Sequence, residues 1–306
     1  MTWDRAIRIV GAATDRGAGE PGCERGPDAL RRSGLVARLS ADGLNVSWDM
    51  TLRANADGDA LAAVRDLSAR LARRVHVATA TGRFPLVLGG DHSVAIGTWS
   101  GAAAAMRPHG PLGLIWVDAH MDAHVPHTSP SGNLHGMPLA CLLGYGDESL
   151  VSVCGAPALR PEHVCLVGVR SFEEGEAALL DRLGVRIFFM EEVEHRGLSA
   201  VMRDAHAIVT RDTAAVGLTL DLDALDPEEA PGVGSPEAGG IRARDLLPEL
   251  TMLGQSSRFA AAEIVEYNPR HDRDDRTAAL VEMIAKATFG VPWERGSGEE
   301  RERLAA

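Results

Sequence analysis

The chain has 306 residues, 45% hydrophobic and 24% charged, an ordinary soluble balance with room for one large domain or two medium ones. No apolar run reaches the roughly 18 residues that cross a bilayer, and a net charge of −12 argues against nucleic acid or anionic membrane surfaces as partners. The start, Met1-Thr2-Trp3-Asp4-Arg5, lacks the basic-then-apolar layout of a signal peptide, so cytoplasm is the expectation. Cys23, Cys141, Cys154 and Cys165 form no CxxC pair, which points to reduced thiols, and Cys165 in its apolar run reads as core.

Strand-like runs recur along the whole length: Ile7 to Ala12, Leu44 to Trp48, Phe84 to Gly89, Leu112 to Val117, His163 to Val169, Arg186 to Met190, Ala215 to Leu222 and Phe259 to Glu266. Helical patterns lie between them. Asp28 to Leu39 follows Pro27, a favourable first-turn residue. Ala60 to Ala80 carries Leu61, Val64, Leu67, Leu71 and Val75 at helical spacing. Ser93 to Met106, Glu174 to Leu183, Glu191 to Val209, Arg242 to Leu253 and Asp275 to Phe289 complete the set. Strands alternating with helices predict an α/β fold with a mainly parallel sheet covered on both faces. One rhythm with no Pro/Ser-rich linker predicts a single domain over 1–306, ending in a charged tail from about residue 294.

In an open α/β sheet the ligand site lies at the carboxyl ends of the strands. The run Leu112 to Val117 ends in Asp118-Ala119-His120-Met121-Asp122-Ala123-His124, where alternate residues of an extended segment would share a face. Carboxylates gathered so closely repel unless a cation sits among them. Phe84 to Gly89 ends in Gly90-Asp91-His92-Ser93, and Ala215 to Leu220 in Asp221-Leu222-Asp223-Ala224-Leu225-Asp226-Pro227. Phe259 to Val265 ends in Glu266-Tyr267-Asn268-Pro269, with Glu266 a candidate for binding a cationic group. Glu263 on the same strand fits an edge position or a supporting position equally well. The loop from His124 to Gly136 contains Ser131-Gly132-Asn133-Leu134-His135-Gly136, in which His135 is a candidate mobile acid/base.

Each segment alone also fits a polar turn. Together they deliver His92, Asp118, His120, Asp122, Asp221 and Asp223, too many for one zinc with an open position. They suffice for two metals about 3.5–4 Å apart sharing carboxylates, and oxygen-rich ligation with two imidazoles points to Mn before Zn.

These motifs, in this order, resemble those of the ureohydrolase family, and arginase most. The resemblance spans nearly the whole chain, from Gly26-Pro27 and Leu30-Arg31 through Gly-Gly-Asp-His-Ser, Asp-Ala-His-x-Asp, Ser-Gly-Asn-x-His-Gly, Asp-x-Asp-x-x-Asp-Pro and Glu-x-Asn-Pro. It implies an α/β/α fold with an eight-stranded parallel sheet, two Mn ions per chain, and a homotrimer or homohexamer. One metal would be held by His92, Asp118, Asp122 and Asp221, and the other by Asp118, His120, Asp221 and Asp223, with Asp118 and Asp221 bridging. The implied roles are a proton carrier for Asp122, a guanidinium partner for Glu266 and a proton shuttle to bulk water for His135.

The implied substrate is a small cationic guanidino compound, with L-arginine first. Ser131 and Asn133 match the loop that reads an α-carboxylate, Glu173 falls where the family places an acid for the α-amino group, and Ser235 falls near the guanidinium. Two residues depart from the pattern. His124 stands where arginase commonly has asparagine, leaving a metal role open beside a substrate-side one, and Ser171 replaces an aspartate. Agmatine, guanidinobutyrate and formiminoglutamate are therefore alternative substrates, and a mononuclear zinc deacylase of the same fold is a more distant alternative.

Overall fold

A computed structural model describes residues 3–155 and 157–291. The charged tail from about residue 294 lies outside these. β1 (Ile7–Ala13) leads through a 3-10 turn into α1 (Gly26–Arg32) and α2 (Leu35–Ala41), followed by β2 (Val46–Arg53), α3 (Ala60–Ala80) and β3 (Phe84–Gly89). Next come α4 (Ala95–Met106), β4 (Leu112–Val117), α5 (Pro138–Leu142), α6 (Glu148–Val151), β5 (Val164–Val169) and α7 (Glu174–Leu183). The chain continues as β6 (Arg186–Phe189), α8 (Met190–Arg196), α9 (Leu198–Thr210), β7 (Ala215–Asp221), α10 (Ala243–Gly254), β8 (Phe259–Val265) and α11 (Arg276–Thr288).

All eight strands form one parallel sheet in the order β2-β1-β3-β8-β7-β4-β5-β6. Alternate side chains of each strand feed two separate cores. Ile115 and Val117 face α1, α2 and α8 to α11, whereas Leu112, Leu114 and Trp116 face α3, α4, α5 and α7. Burial on both faces is why these strands read as unbroken apolar runs. Glu263 is fully buried on β8, between β3 and β7, which rules out an edge position.

Two predicted helices are each split. Asp28 to Leu39 breaks at Ser33-Gly34, and Glu191 to Val209 breaks at Gly197, where φ values of 89° and 78° leave the helical region. Apolar spacing runs through both breaks, because the two halves of each pair bury against the same core. β2 begins two residues after the expected start and runs on to Arg53, since it lies at the sheet edge and is only half-buried.

The four strands that carry the site stand side by side in the middle of the sheet. Val117 pairs with Leu220, Leu220 with Ile264 and Ile264 with Leu88, so β4, β7, β8 and β3 end level with one another. The chain leaves β3, skips two strand positions to form β4, builds outward to β6, and returns to fill the gap with β7 and β8. Such a reversal opens a crevice at the carboxyl ends of the strands.

Candidate metal centre and substrate pocket

Asp118 and Asp221 follow the paired residues Val117 and Leu220 directly, which brings two carboxylates from neighbouring strands to the same height. His92 opens a 3-10 turn after β3, held by the Asp91 carboxylate, which accepts from the Ser93 N–H at 3.0 Å and the Gly17 N–H at 2.8 Å. Its Nδ1 lies 2.9 Å from Asp122 Oδ2, 3.0 Å from Asp221 Oδ2 and 3.1 Å from Asp118 Oδ2. The Nδ1 of His120 lies 3.1 Å from Asp223 Oδ2 and 3.5 Å from Asp118 Oδ1. Asp118 thus turns one oxygen to each imidazole.

The backbone holds these carboxylates in place. His120 N–H donates to Asp118 Oδ1 at 2.7 Å, Asp223 N–H to Asp221 Oδ1 at 2.9 Å, and the Trp116 indole N–H to Asp118 Oδ2 at 2.8 Å. Asp118, His120 and Asp122 do not meet by alternation along an extended segment, as the sequence suggested. The strand stops at Val117, and Asp122 has a left-handed φ of 51°, which swings its carboxylate back toward His92.

Protonation underlines the crowding. Burial, reinforced by repulsion from Asp223 and Asp118, pushes the Asp221 carboxyl well up despite His92. Burial and Asp118 push Asp122 up to about 6. For Asp118 burial is overcome by the two imidazoles, which hold it below the usual carboxylate range. One imidazole N–H cannot serve three carboxylate oxygens, and the buried His92 Nδ1 and Asp122 Oδ2 have no hydrogen-bond partner. Buried polar atoms are rarely left so. The donor set fits divalent metal ions: His92, Asp118 and Asp122 form one ligand group, and Asp118, His120 and Asp223 a second that shares Asp118. Asp221 joins the first through its 3.0 Å contact.

A pocket of about 270 Å3 opens over this cluster, lined by His92, His120, Asp122, Asp221, Asp223, Ser131, Asn133, His135, Ser235, Glu173, Glu266 and neighbouring residues. Glu266 is buried and has a left-handed φ of 66°. Its Oε1 accepts from the His92 N–H at 2.8 Å and meets His135 Nδ1 at 3.0 Å. Burial alone would raise this carboxyl, but His135 and the His92 N–H hold it below its usual range.

A model of the Arginase family matches residues 5–290. The chain belongs to the arginase family. The arginase of Bacillus caldovelox is 40% identical to it over 297 residues, 94% of this chain and 98% of that one. The solved arginase of Bacillus subtilis matches with a TM-score of 0.88 at 39% identity, over 94% of this chain and 99% of that one. Entamoeba histolytica arginase, solved in complex with L-ornithine, gives 0.87 at 28% identity, over 95% and 99%.

His124, Glu173 and Glu176 form a second cluster on the pocket wall of this arginase-family chain. His124 does not reach the metal cluster. Its Nδ1 meets Thr128 Oγ1 at 3.1 Å and its Nε2 meets Glu173 Oε2 at 2.9 Å and Glu176 Oε1 at 3.5 Å. Glu176 is buried, accepts from the backbone N–H groups of Ala123 and Glu173 at 3.2 and 3.0 Å, and is pushed up to about 8 by burial. It ties the start of α7 to the loop after β4.

Several contributors escaped the sequence reading. Trp116 looked like core, and only its indole contact reveals a role beside Asp118. All four cysteines are buried free thiols, as the sequence predicts, but Cys23 is more than that. Its Sγ donates to Glu266 Oε2 at 3.2 Å from a loop 243 residues earlier in the chain. Burial, with Glu266 adding to it, pushes that thiol well up, so it stays a neutral donor.

Proposed function

We propose that the chain hydrolyses L-arginine to L-ornithine and urea with two Mn2+ ions. The observation that carries this reading is His92 Nδ1, an orphaned buried atom faced by oxygens of three aspartates, beneath a pocket walled by further acids. Asp118, Asp122, Asp221 and Asp223 carry four negative charges when ionised, which two divalent cations neutralise. Two such ions, when bound, would lower the pKa of water at the site and so supply at neutral pH the strong nucleophile that a resonance-stabilised guanidinium carbon requires.

The protein's own residues do the rest. Glu266 faces the pocket as a buried carboxylate and pairs with the substrate guanidinium, a charge-assisted contact. Asp122 lies at the edge of the cluster and lines the pocket, where it takes the proton of the attacking water and passes it to the leaving amine. His135 is half-buried at the pocket wall and moves protons between the site and bulk water. Ser131, Asn133, Glu173, His124 and Ser235 line the same pocket, where Ser131 and Asn133 would take an α-carboxylate and Ser235 would stand near the guanidinium.

A second reading has one observation in its favour. Glu173 already holds an imidazole at 2.9 Å, which competes with an α-amino group and favours a guanidino acid lacking that group, such as guanidinobutyrate. Urea release from the Mn-loaded protein across arginine, agmatine and guanidinobutyrate, with formamide release followed for formiminoglutamate, decides between them. Arginine is expected to lead, and activity on agmatine above arginine would overturn the assignment. We further take the chain as a single domain over 1–306 that assembles as a homotrimer or homohexamer in the cytoplasm. The eight-stranded sheet supports the first part and light scattering tests the second. No helix among the described residues is long and apolar enough to cross a membrane.

A further inference from the structure

We propose that Glu263, acting through Thr219, fixes the tautomer and orientation of His92 and thereby sets the affinity of the metal position that His92 faces. The inference rests on the binuclear reading of the site and concerns residues that never touch the pocket. Glu263 is fully buried on β8 and ringed by donors. Its Oε1 accepts from the Trp99 indole N–H at 3.2 Å and from the Thr219 hydroxyl at 2.9 Å. Its Oε2 accepts from the Thr98 hydroxyl.

A hydroxyl has one hydrogen to give. With that hydrogen committed to Glu263, Thr219 Oγ1 offers only lone pairs to His92 Nε2, 3.1 Å away. Nε2 must then carry the ring hydrogen, which leaves the lone pair on Nδ1, the atom among the oxygens of Asp118, Asp122 and Asp221. Stacking on Trp116, with ring centroids 4.5 Å apart and planes 23° from parallel, fixes the ring's face as well. The arrangement is built into the sheet. A Cβ on Gly217 would sit 2.1 Å from the Trp99 ring, so only glycine there lets Trp99 reach Glu263. Outer partners of this kind orient a ligating imidazole and raise its basicity, and losing them costs about 10- to 100-fold in metal affinity.

The test is calorimetric titration of the metal-free protein with Mn2+, which reads affinity and stoichiometry without turnover. Wild type is expected to take two ions per chain. Thr219→Val keeps the shape and removes the acceptor; one of the two ions is expected to weaken by about 10- to 100-fold, with the other within threefold of wild type. Thr219→Ser keeps the hydroxyl and should restore both. Glu263→Met frees the Thr219 hydrogen to point at Nε2, and the same ion should weaken. Cooperative thermal melts establish that each variant is folded, and should Thr219→Val not fold, Glu263→Met carries the test. Wild-type affinities in a folded Thr219→Val or Glu263→Met overturn the proposal. A wild type that binds no second ion overturns instead the binuclear reading beneath it.

Discussion

The imidazole of His135 meets the carboxylate of Glu266 at 3.0 Å, joining a loop after β4 to the end of β8 across 131 residues of sequence. Burial alone would lower the His135 pKa, but Glu266 overrides it and pushes the imidazole up to about 9. The pairing therefore stabilises the fold fully below the unfolded-state value of about 6.5, and this contribution is lost as pH rises through about 9. Denaturant midpoints measured from pH 6 to pH 10 should decline toward the alkaline end, and His135→Asn should flatten that decline.

The same residue makes a kinetic prediction. His135→Asn removes a proton carrier but no metal contact, so kcat should fall by about a hundredfold while two ions per chain remain on metal analysis. It should also erase an alkaline limb of kcat/KM near pH 9. Loss of metal in this variant would contradict the role given to His135.

Asp221→Asn should behave in the opposite way. This carboxylate faces His92 with Oδ2 and braces Asp223 with Oδ1, so both halves of the cluster depend on it. Metal content is expected to drop below two per chain, and activity by at least the hundredfold typical of weaker perturbations around a ligand.

His124→Asn addresses the outer pocket. Removing the 2.9 Å imidazole contact frees the Glu173 carboxylate for a substrate ammonium group. The ratio of kcat/KM for arginine over guanidinobutyrate should rise by about tenfold, the worth of one charge-assisted hydrogen bond. An unchanged ratio would place Glu173 outside substrate recognition.

A stability prediction comes from the turn after β3. A Cβ at Gly90 would lie 1.9 Å from the Thr14 carbonyl oxygen, a backbone atom with no freedom to retreat. Gly90→Ala should cost about 1–3 kcal/mol, read from the urea midpoint.

Much of this molecule was decided by sequence alone. The eight strands, their alternation with helices and the acids and imidazoles at four strand ends all follow from local pattern. Unbroken apolar runs force parallel strands into a covered sheet, and polar groups at their ends then have one place to go. What sequence did not hold was set by contacts between distant segments. Level strand ends put Asp118 beside Asp221, and left-handed backbone at Asp122 and Glu266, visible in no residue pattern, aims both carboxylates. His124 shared the spacing of the metal residues, but Glu173, 49 residues later, claimed its imidazole. Local pattern left Glu263 open between an edge and a supporting position and gave Thr219 no role; contacts with Trp99 on one side and His92 on the other decide for support. Chemical type is written along the chain; which hydrogen a hydroxyl gives, and to whom, depends on neighbours that only folding supplies.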